Sequence, residues 1–262
     1  MSILPKKRYN HFLFGIAIAV LYFWAVQGTG FNPINIIKGL PHLYDFLSRL
    51  FPPDLSIIGS TALKIVETLQ MALTGSLIGV LLALPLSFLA ARNIMPNKFI
   101  YQSVRSLFDF LRGVHEMVWA LIFVSMVGLG PFPGVLALGA HVTGALGRHF
   151  SEAIETVNIE KIRAIVSTGA TKSQMVIRGI FPEIKPLMFN YYLYYLENNF
   201  RSATVLGLVG AGGIGMALIT SIRLFKYHEL LTILIMMIGT IVIMDRISAY
   251  IRKRITDVGT IK

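Results

Sequence analysis

The chain contains no cysteine, which excludes disulfides and thiolate metal sites and leaves the compartment open. It is also poor in charge: only 14% of its 262 residues are Asp, Glu, Lys or Arg. A soluble domain of this length needs far more charge to cover its surface. No G-x-x-x-x-G-K-[ST] loop occurs, so the chain has no P-loop for ATP, and no G-x-S-x-G nucleophile elbow occurs. Acidic residues are scarce relative to basic ones, 13 against 24, giving a net charge of +11. In a soluble protein that excess points to nucleic acid. Here 55% of the residues are hydrophobic and mean hydropathy is +0.67, so the basic residues read as membrane-flanking charges and no nucleic-acid partner is expected.

The apolar residues fall in long blocks, and about 20 of them in a helix span a bilayer. The first runs from Phe12 to Val26 behind Lys6, Lys7 and Arg8. No small-x-small cleavage site follows it, so it reads as an uncleaved first helix. Residues 28–63 read as an extracytoplasmic loop with a short interfacial helix near 36–50. Thr68 to Ala91 is a second span, with Pro85 as a kink. The uncharged stretch from Met117 to Gly147 is too long for one span and breaks at Gly128-Leu129-Gly130-Pro131-Phe132-Pro133. The third helix is therefore expected to start near Arg112 and the fourth to end near Arg148. The next crossing is either 187–206 or 202–222. The preferred reading is a helix over 187–206, a glycine-broken segment at 207–215 and a short helix to about 222. The last span is about Glu229 to Met244.

The expected fold is an all-α polytopic membrane bundle of about six transmembrane helices, one transmembrane domain over 1–262 with a core at about 67–250. With the N-terminus inside, 17 of the 24 Lys and Arg fall on the cytoplasmic side, which favours six spans with both termini cytoplasmic.

Polar side chains at membrane depth are costly and face a bundle interior or a water path. The candidates are Glu116, His141, Glu197, Asn198, Asn199, Arg201, Ser202 and Thr204. Glu197 and Arg201 are one turn apart and can pair. Two readings stand: a structural bridge, or a cation offered to a passing anion with Ser202 and Thr204 as donors. His141 reads first as a helix–helix hydrogen bond. Gly210-Ala211-Gly212-Gly213-Ile214-Gly215 matches G-x-G-x-x-G, but a dinucleotide site needs a preceding strand and a following soluble helix, the nearest acid downstream is Glu229, and the context is membrane-embedded. Gly207, Gly210, Gly212, Gly213 and Gly215 read instead as a hinge or as close packing. His115-Glu116-Met117-Val118-Trp119 lacks the second histidine of a zinc site, and no metal site or catalytic constellation is found. The chain is therefore expected not to be an enzyme. An ion-coupled secondary transporter or channel acting alone, with Glu116, His141 and Glu197 as proton relays, is an alternative class.

The polar segment at 149–186 reads as helix, glycine turn, helix and proline stop, which makes a compact docking surface. Arg163-Ala164-Ile165 leads through Gly169, Ala170 and Thr171 to Phe181-Pro182. This run resembles the coupling loop of ABC importer permeases, E-A-A-x-x-x-G-x9-I-x-L-P. Ala164, Gly169 and Pro182 match. Arg163 stands at the glutamate, Ile165 at the second alanine, Gly179 at the isoleucine and Phe181 at the leucine.

Further blocks resemble phosphonate importer permeases: Phe51-Pro52-Pro53-Asp54, Glu116-Met117-Val118, Val127 to Phe132, Gly134 to Leu138, Ser151-Glu152-Ala153, and Arg201 to Gly207 with Val209 to Gly215. The resemblance implies a type I ABC importer permease in a bacterial inner membrane. It implies a homodimer, two ABC ATPase subunits carrying ATP and magnesium, a periplasmic or lipid-anchored substrate-binding protein, and contact with membrane lipid. The cargo it implies is phosphonate or a related phosphorus oxyanion (phosphite, hypophosphite or a phosphate ester).

Overall fold

The computed structural model describes residues 7–259. Among them there is no strand. The chain divides into two units, residues up to Leu50 and residues from Phe51 onward. The first unit holds α1 (Lys7–Gly28) and α2 (Pro33–Leu50), joined by a short turn. The helix expected near 36–50 therefore begins at Pro33, where proline fits a first turn because its missing N–H would be unpaired there anyway.

The second unit contains the expected core. Its helices are α3 (Ile58–Leu89), α4 (Lys98–Gly113), α5 (Glu116–Val127), α6 (Pro131–Glu155), α7 (Ile159–Ser167), α8 (Lys172–Gln174), α9 (Phe181–Leu206), α10 (Gly213–Arg223) and α11 (Tyr227–Gly259). A π-helical stretch, Met175–Ile180, carries α8 directly into α9.

Helix α6 is the hub. Small residues lie on several sides of it, and buried Gly134, Ala137, Gly139, Gly144, Ala145 and Gly147 let neighbours approach closely. Lipid is as apolar as leucine, so helices associate in it by packing and hydrogen bonding rather than by escape from water. On α3, Gly75 and Gly79 are spaced four apart and receive Leu138 and Val142 of α6. A Cβ on Gly75 would lie 2.8 Å from Leu138 Cβ. On the other side, the buried ring of Phe108 on α4 fills the notch left by Gly147.

Two apolar cores result. One gathers Ala83, Val142, Leu146, Phe150, Ile180 and Ile184 from α3, α6, the π-turn and α9. The other gathers Met71, Ala120, Leu138, Ala203 and Leu206 from α3, α5, α6 and α9.

Four expectations are corrected. The second span starts at Ile58, not Thr68, because Lys64 and Glu67 pair with each other at 2.6 Å and are accommodated on the outer turns of α3. The third helix does not run through from Arg112. It breaks at Val114–His115, and α4 meets α5 at 89°. The His115 side chain caps the new helix by accepting from the Met117 amide at 3.3 Å. The fourth helix passes Arg148 and continues to Glu155, since Arg148 bonds Glu152 one turn on at 2.6 Å. Pro182 does not stop a helix. It lies in the first turn of α9, a position that tolerates proline.

Among the described residues, three helical stretches are long and apolar enough to cross a bilayer: Leu13–Leu50, Leu55–Leu89 and Tyr227–Lys253. The count is five if the bent pairs α4–α5 and α9–α10 are each one crossing. The glycine break after 187–206 falls where the sequence places it: a 3-10 turn, Gly207–Val209, separates α9 from α10 at a 40° bend.

Candidate translocation and coupling sites

Two places in the second unit carry polar side chains that the apolar packing does not require. The first lies where α5, α6 and α9 meet. The buried Glu116, at the first turn of α5, accepts a hydrogen bond from the Ser202 hydroxyl on α9. His141 on α6 donates from Nδ1 to the Val114 carbonyl at 3.3 Å, and the same nitrogen stands 3.7 Å from the Glu116 carboxylate. An acidic side chain at a helix N-terminus is favoured by the positive end of the helix dipole. Glu116, Ser202 and Arg201 line one cleft of about 270 Å³, with His115, Met117, Val205 and Leu206.

Arg201 is not a free cation. Its guanidinium pairs with Glu197 one turn back and with Asp245 on α11 at 3.1 Å. Glu197 also accepts from Arg252 at 2.5 Å, so one carboxylate is shared by two arginines. The bridge exists, and Arg201 still borders the cleft, 46% exposed. Thr204 is turned away from the cleft. Its hydroxyl bonds back to the Arg201 carbonyl at 2.6 Å, and the residue is buried. Asn198 is half-buried on α9. Asn199 is fully buried and donates to Ser76 on α3 at 2.8 Å.

The glycine break beside this cleft is held from α3. The Gly213 amide donates to Glu67 at 3.0 Å, and the Ile214 amide to Thr68 at 2.8 Å. Two of the unpaired amides at the start of α10 are thus satisfied by side chains of another helix. Gly213 has φ +69, a conformation costly for any residue with a Cβ. Gly215 packs directly on the Thr204 carbonyl and on Gly207. Gly210 and Gly212 also have positive φ, and Gly210 accepts the Gly130 amide at 3.0 Å. Glu67 was missed in the sequence. Its only signal there is a lone acid entering an otherwise apolar run.

The second place is the segment from α7 to the start of α9. Asn158 caps α7 by accepting from the Glu160 amide at 2.8 Å. Thr168 ends α7, and Gly169 turns the chain at φ +80. Thr171 and Gln174 form a reciprocal cap. The Thr171 amide donates to the Gln174 side chain at 3.0 Å, and the Gln174 amide to the Thr171 hydroxyl at 3.4 Å. Lys161 reaches Glu183 at 3.0 Å and fastens α7 to α9. Arg163 and Ala164 face outward, and Pro182 is exposed. Ile165 faces inward and lies over Gly179. A Cβ added to Gly179 would sit 2.5 Å from Ile165 Cδ1.

The segment is thus a compact helix pair held by caps and one cross-link, with an exposed outer face. The chain is 37% identical over 253 residues to the putative phosphite transport system permease protein HtxC of Stutzerimonas stutzeri, covering 96% of this chain and 89% of that protein. It is 35% identical over 241 residues to the phosphite transport system permease protein PtxC of the same organism, covering 92% and 86%. The fold matches the inward-facing MetNI methionine ABC transporter with a TM-score of 0.67 at 20% identity, over 77% of this chain and 99% of that one. Residues 75–257 match the family described as the binding-protein-dependent transport system inner membrane component. The chain belongs to that family, and it is a multi-pass membrane permease subunit of an ABC importer.

Proposed function

We propose that this permease carries phosphite, phosphonate or a closely related phosphorus oxyanion inward across a bacterial inner membrane. The observation that carries the cargo assignment is the likeness, over nearly the whole chain, to permeases named for phosphite transport. The cleft at Glu116, Ser202 and Arg201 has the chemistry the task needs. A guanidinium and a hydroxyl can receive an oxyanion transiently. The paired carboxylates keep Arg201 from holding it tightly, which suits a step that must also release.

Energy must come from outside the chain, because it has no P-loop. Two ABC ATPase subunits supply it, and they bind the ATP and magnesium. The α7–π segment is the coupling element that sits on each ATPase, through Arg163, Ala164, Gly169, Ala170, Thr171, Phe181 and Pro182. Two copies of the chain form the pathway, and a periplasmic or lipid-anchored binding protein delivers the anion to the outer mouth. Taking each bent pair, α4–α5 and α9–α10, as one crossing and adding the buried α6 to the three apolar spans, we assign six crossings, with both termini in the cytoplasm because the basic residues gather on that side.

The test is growth and uptake. In a host lacking its own importers for these anions, this chain with its ATPase and binding subunits supports growth on phosphite or methylphosphonate as sole phosphorus source. Growth equal to that of a strain without the chain refutes the cargo assignment.

A further inference from the structure

Helix α4 lies outside the functions assigned so far. It is bent 89° from α5, so when α5 runs along the bilayer normal α4 lies in the plane of the membrane. Its exposed apolar side chains, Phe99, Ile100, Leu107 and Phe110, fall within an arc of about 100° on a helical projection. Lys98, Gln102, Arg105 and Arg112 fall on another face. A basic helix with one exposed apolar stripe is the pattern of a segment lying in the membrane interface.

At its start, Arg92, Met95, Pro96, Lys98, Tyr101 and Gln102 line a cleft of about 510 Å³. Two of these six side chains are cationic and none is acidic. Among the described residues, neither Arg92 nor Lys98 makes an ion pair, and both are exposed. Glu155, the acid that bonds the Arg92 backbone, is already engaged. It accepts from the Arg92 amide at 2.7 Å and pairs with Arg105 at 2.9 Å. Arg105 in turn lies over the Tyr101 ring, 4.8 Å from its centroid, and bonds the Tyr101 hydroxyl. The Tyr101 wall is therefore fixed, while the two outer cations remain available. Asn97 caps α4 by accepting from the Phe99 amide at 2.9 Å, so the cleft is a side-chain site rather than an open helix end.

We propose that this cleft holds the phosphate headgroup of an anionic phospholipid, with its acyl chains beside the apolar stripe of α4. The occupant is a lipid rather than free phosphate because the helix that carries Lys98 also carries an exposed apolar stripe on another face, the pattern of a helix lying in the interface. On the orientation proposed above this is the cytoplasmic leaflet, where anionic lipid and basic residues meet. The lipid would fix α4, and through Phe108 it would steady α6 at the Gly147 notch.

Native mass spectrometry of the full chain, extracted with mild detergent and exchanged into defined phosphatidylglycerol or phosphatidylethanolamine, tests this. Retention of phosphatidylglycerol should exceed that of phosphatidylethanolamine. The Arg92→Gln/Lys98→Gln variant should lower it by roughly thirtyfold, the order expected for two interfacial cations. Arg112→Gln, which removes a cation already paired with Asp109, should not. A second measurement needs no variant: acylation of Lys98 should slow several-fold in phosphatidylglycerol nanodiscs relative to phosphatidylethanolamine, with Lys226 unchanged. Equal retention of both lipids overturns the proposal. So does displacement by inorganic phosphate, which would mark a soluble-anion site. So does a variant that keeps its lipid but loses its ATPase subunits, which would mark a protein contact.

Discussion

The Ile165–Gly179 contact makes a sharp prediction about coupling. In the importer motif a small residue stands where this chain has Ile165, and a large one where it has Gly179. Here the sizes are exchanged, and the two residues meet, 2.5 Å separating Ile165 Cδ1 from an ideal Cβ on Gly179. Ordinary carbon–carbon contact is about 3.5–4.0 Å, so a side chain at 179 must push Ile165 aside by about 1 Å or more. Gly179→Ala meets only the flexible tip of Ile165 and should be mild. Gly179→Ile cannot be absorbed that way. Ile165→Ala leaves a gap between α7 and the π-turn. Full burial would make that loss about 2–5 kcal/mol, and Ile165 is only half-buried, so about 1–2 kcal/mol is expected.

Each single change should therefore loosen the segment, and Ile165→Ala/Gly179→Ile should restore it by reinstating the family's order. Hydrogen exchange of amides over 159–180 in the reconstituted transporter reads this directly, since about 1.4 kcal/mol is a tenfold change in protection. Anion moved per ATP hydrolysed should fall and recover in parallel. Strictly additive effects in the double variant would refute the exchange of volumes.

Gly215→Ala should abolish folded yield, because its Cβ meets the Thr204 carbonyl and backbone cannot yield as a side-chain tip can; normal expression with an unchanged melting temperature would contradict this. Glu67→Gln should cost about 1–2 kcal/mol by weakening the cap on Gly213, read as a lower Tm, whereas Lys64→Met at the exposed end of the same pair should cost about 1 kcal/mol or less. Arg201→Gln should lower transport at least tenfold with little change in Tm, since Glu197 keeps Arg252; a fall in Tm at unchanged transport would make Arg201 purely structural. Gly169→Pro should uncouple ATP hydrolysis from uptake without loss from the membrane, because proline cannot adopt φ +80.

The helices were legible in the sequence where apolar runs end at glycine or proline. The turn at 128–133 and the break at 207–215 fall as expected because only those residues take the backbone geometry required there. The outer end of α3 and the α4–α5 corner were not legible, because both turn on side chains that find partners far along the chain. Glu67 is kept by Gly213, and the 89° corner follows from α4 docking Phe108 into α6. At the cleft, the Glu197–Arg201 pair follows from one-turn spacing, while Asp245 and Arg252 join it only through the approach of α11. Thr204 illustrates the opposite failure. Its hydroxyl type suits an anion path, but a bond to its own helix backbone turns it away.

The most direct test of the central claim is ATP hydrolysis by this chain assembled in nanodiscs with its ATPase and binding subunits. The account predicts that binding protein loaded with phosphite or a phosphonate stimulates hydrolysis several-fold, and that sulfate or methionine does not. A well-folded permease that assembles with no ATPase, or whose ATPase ignores the loaded binding protein, would contradict it.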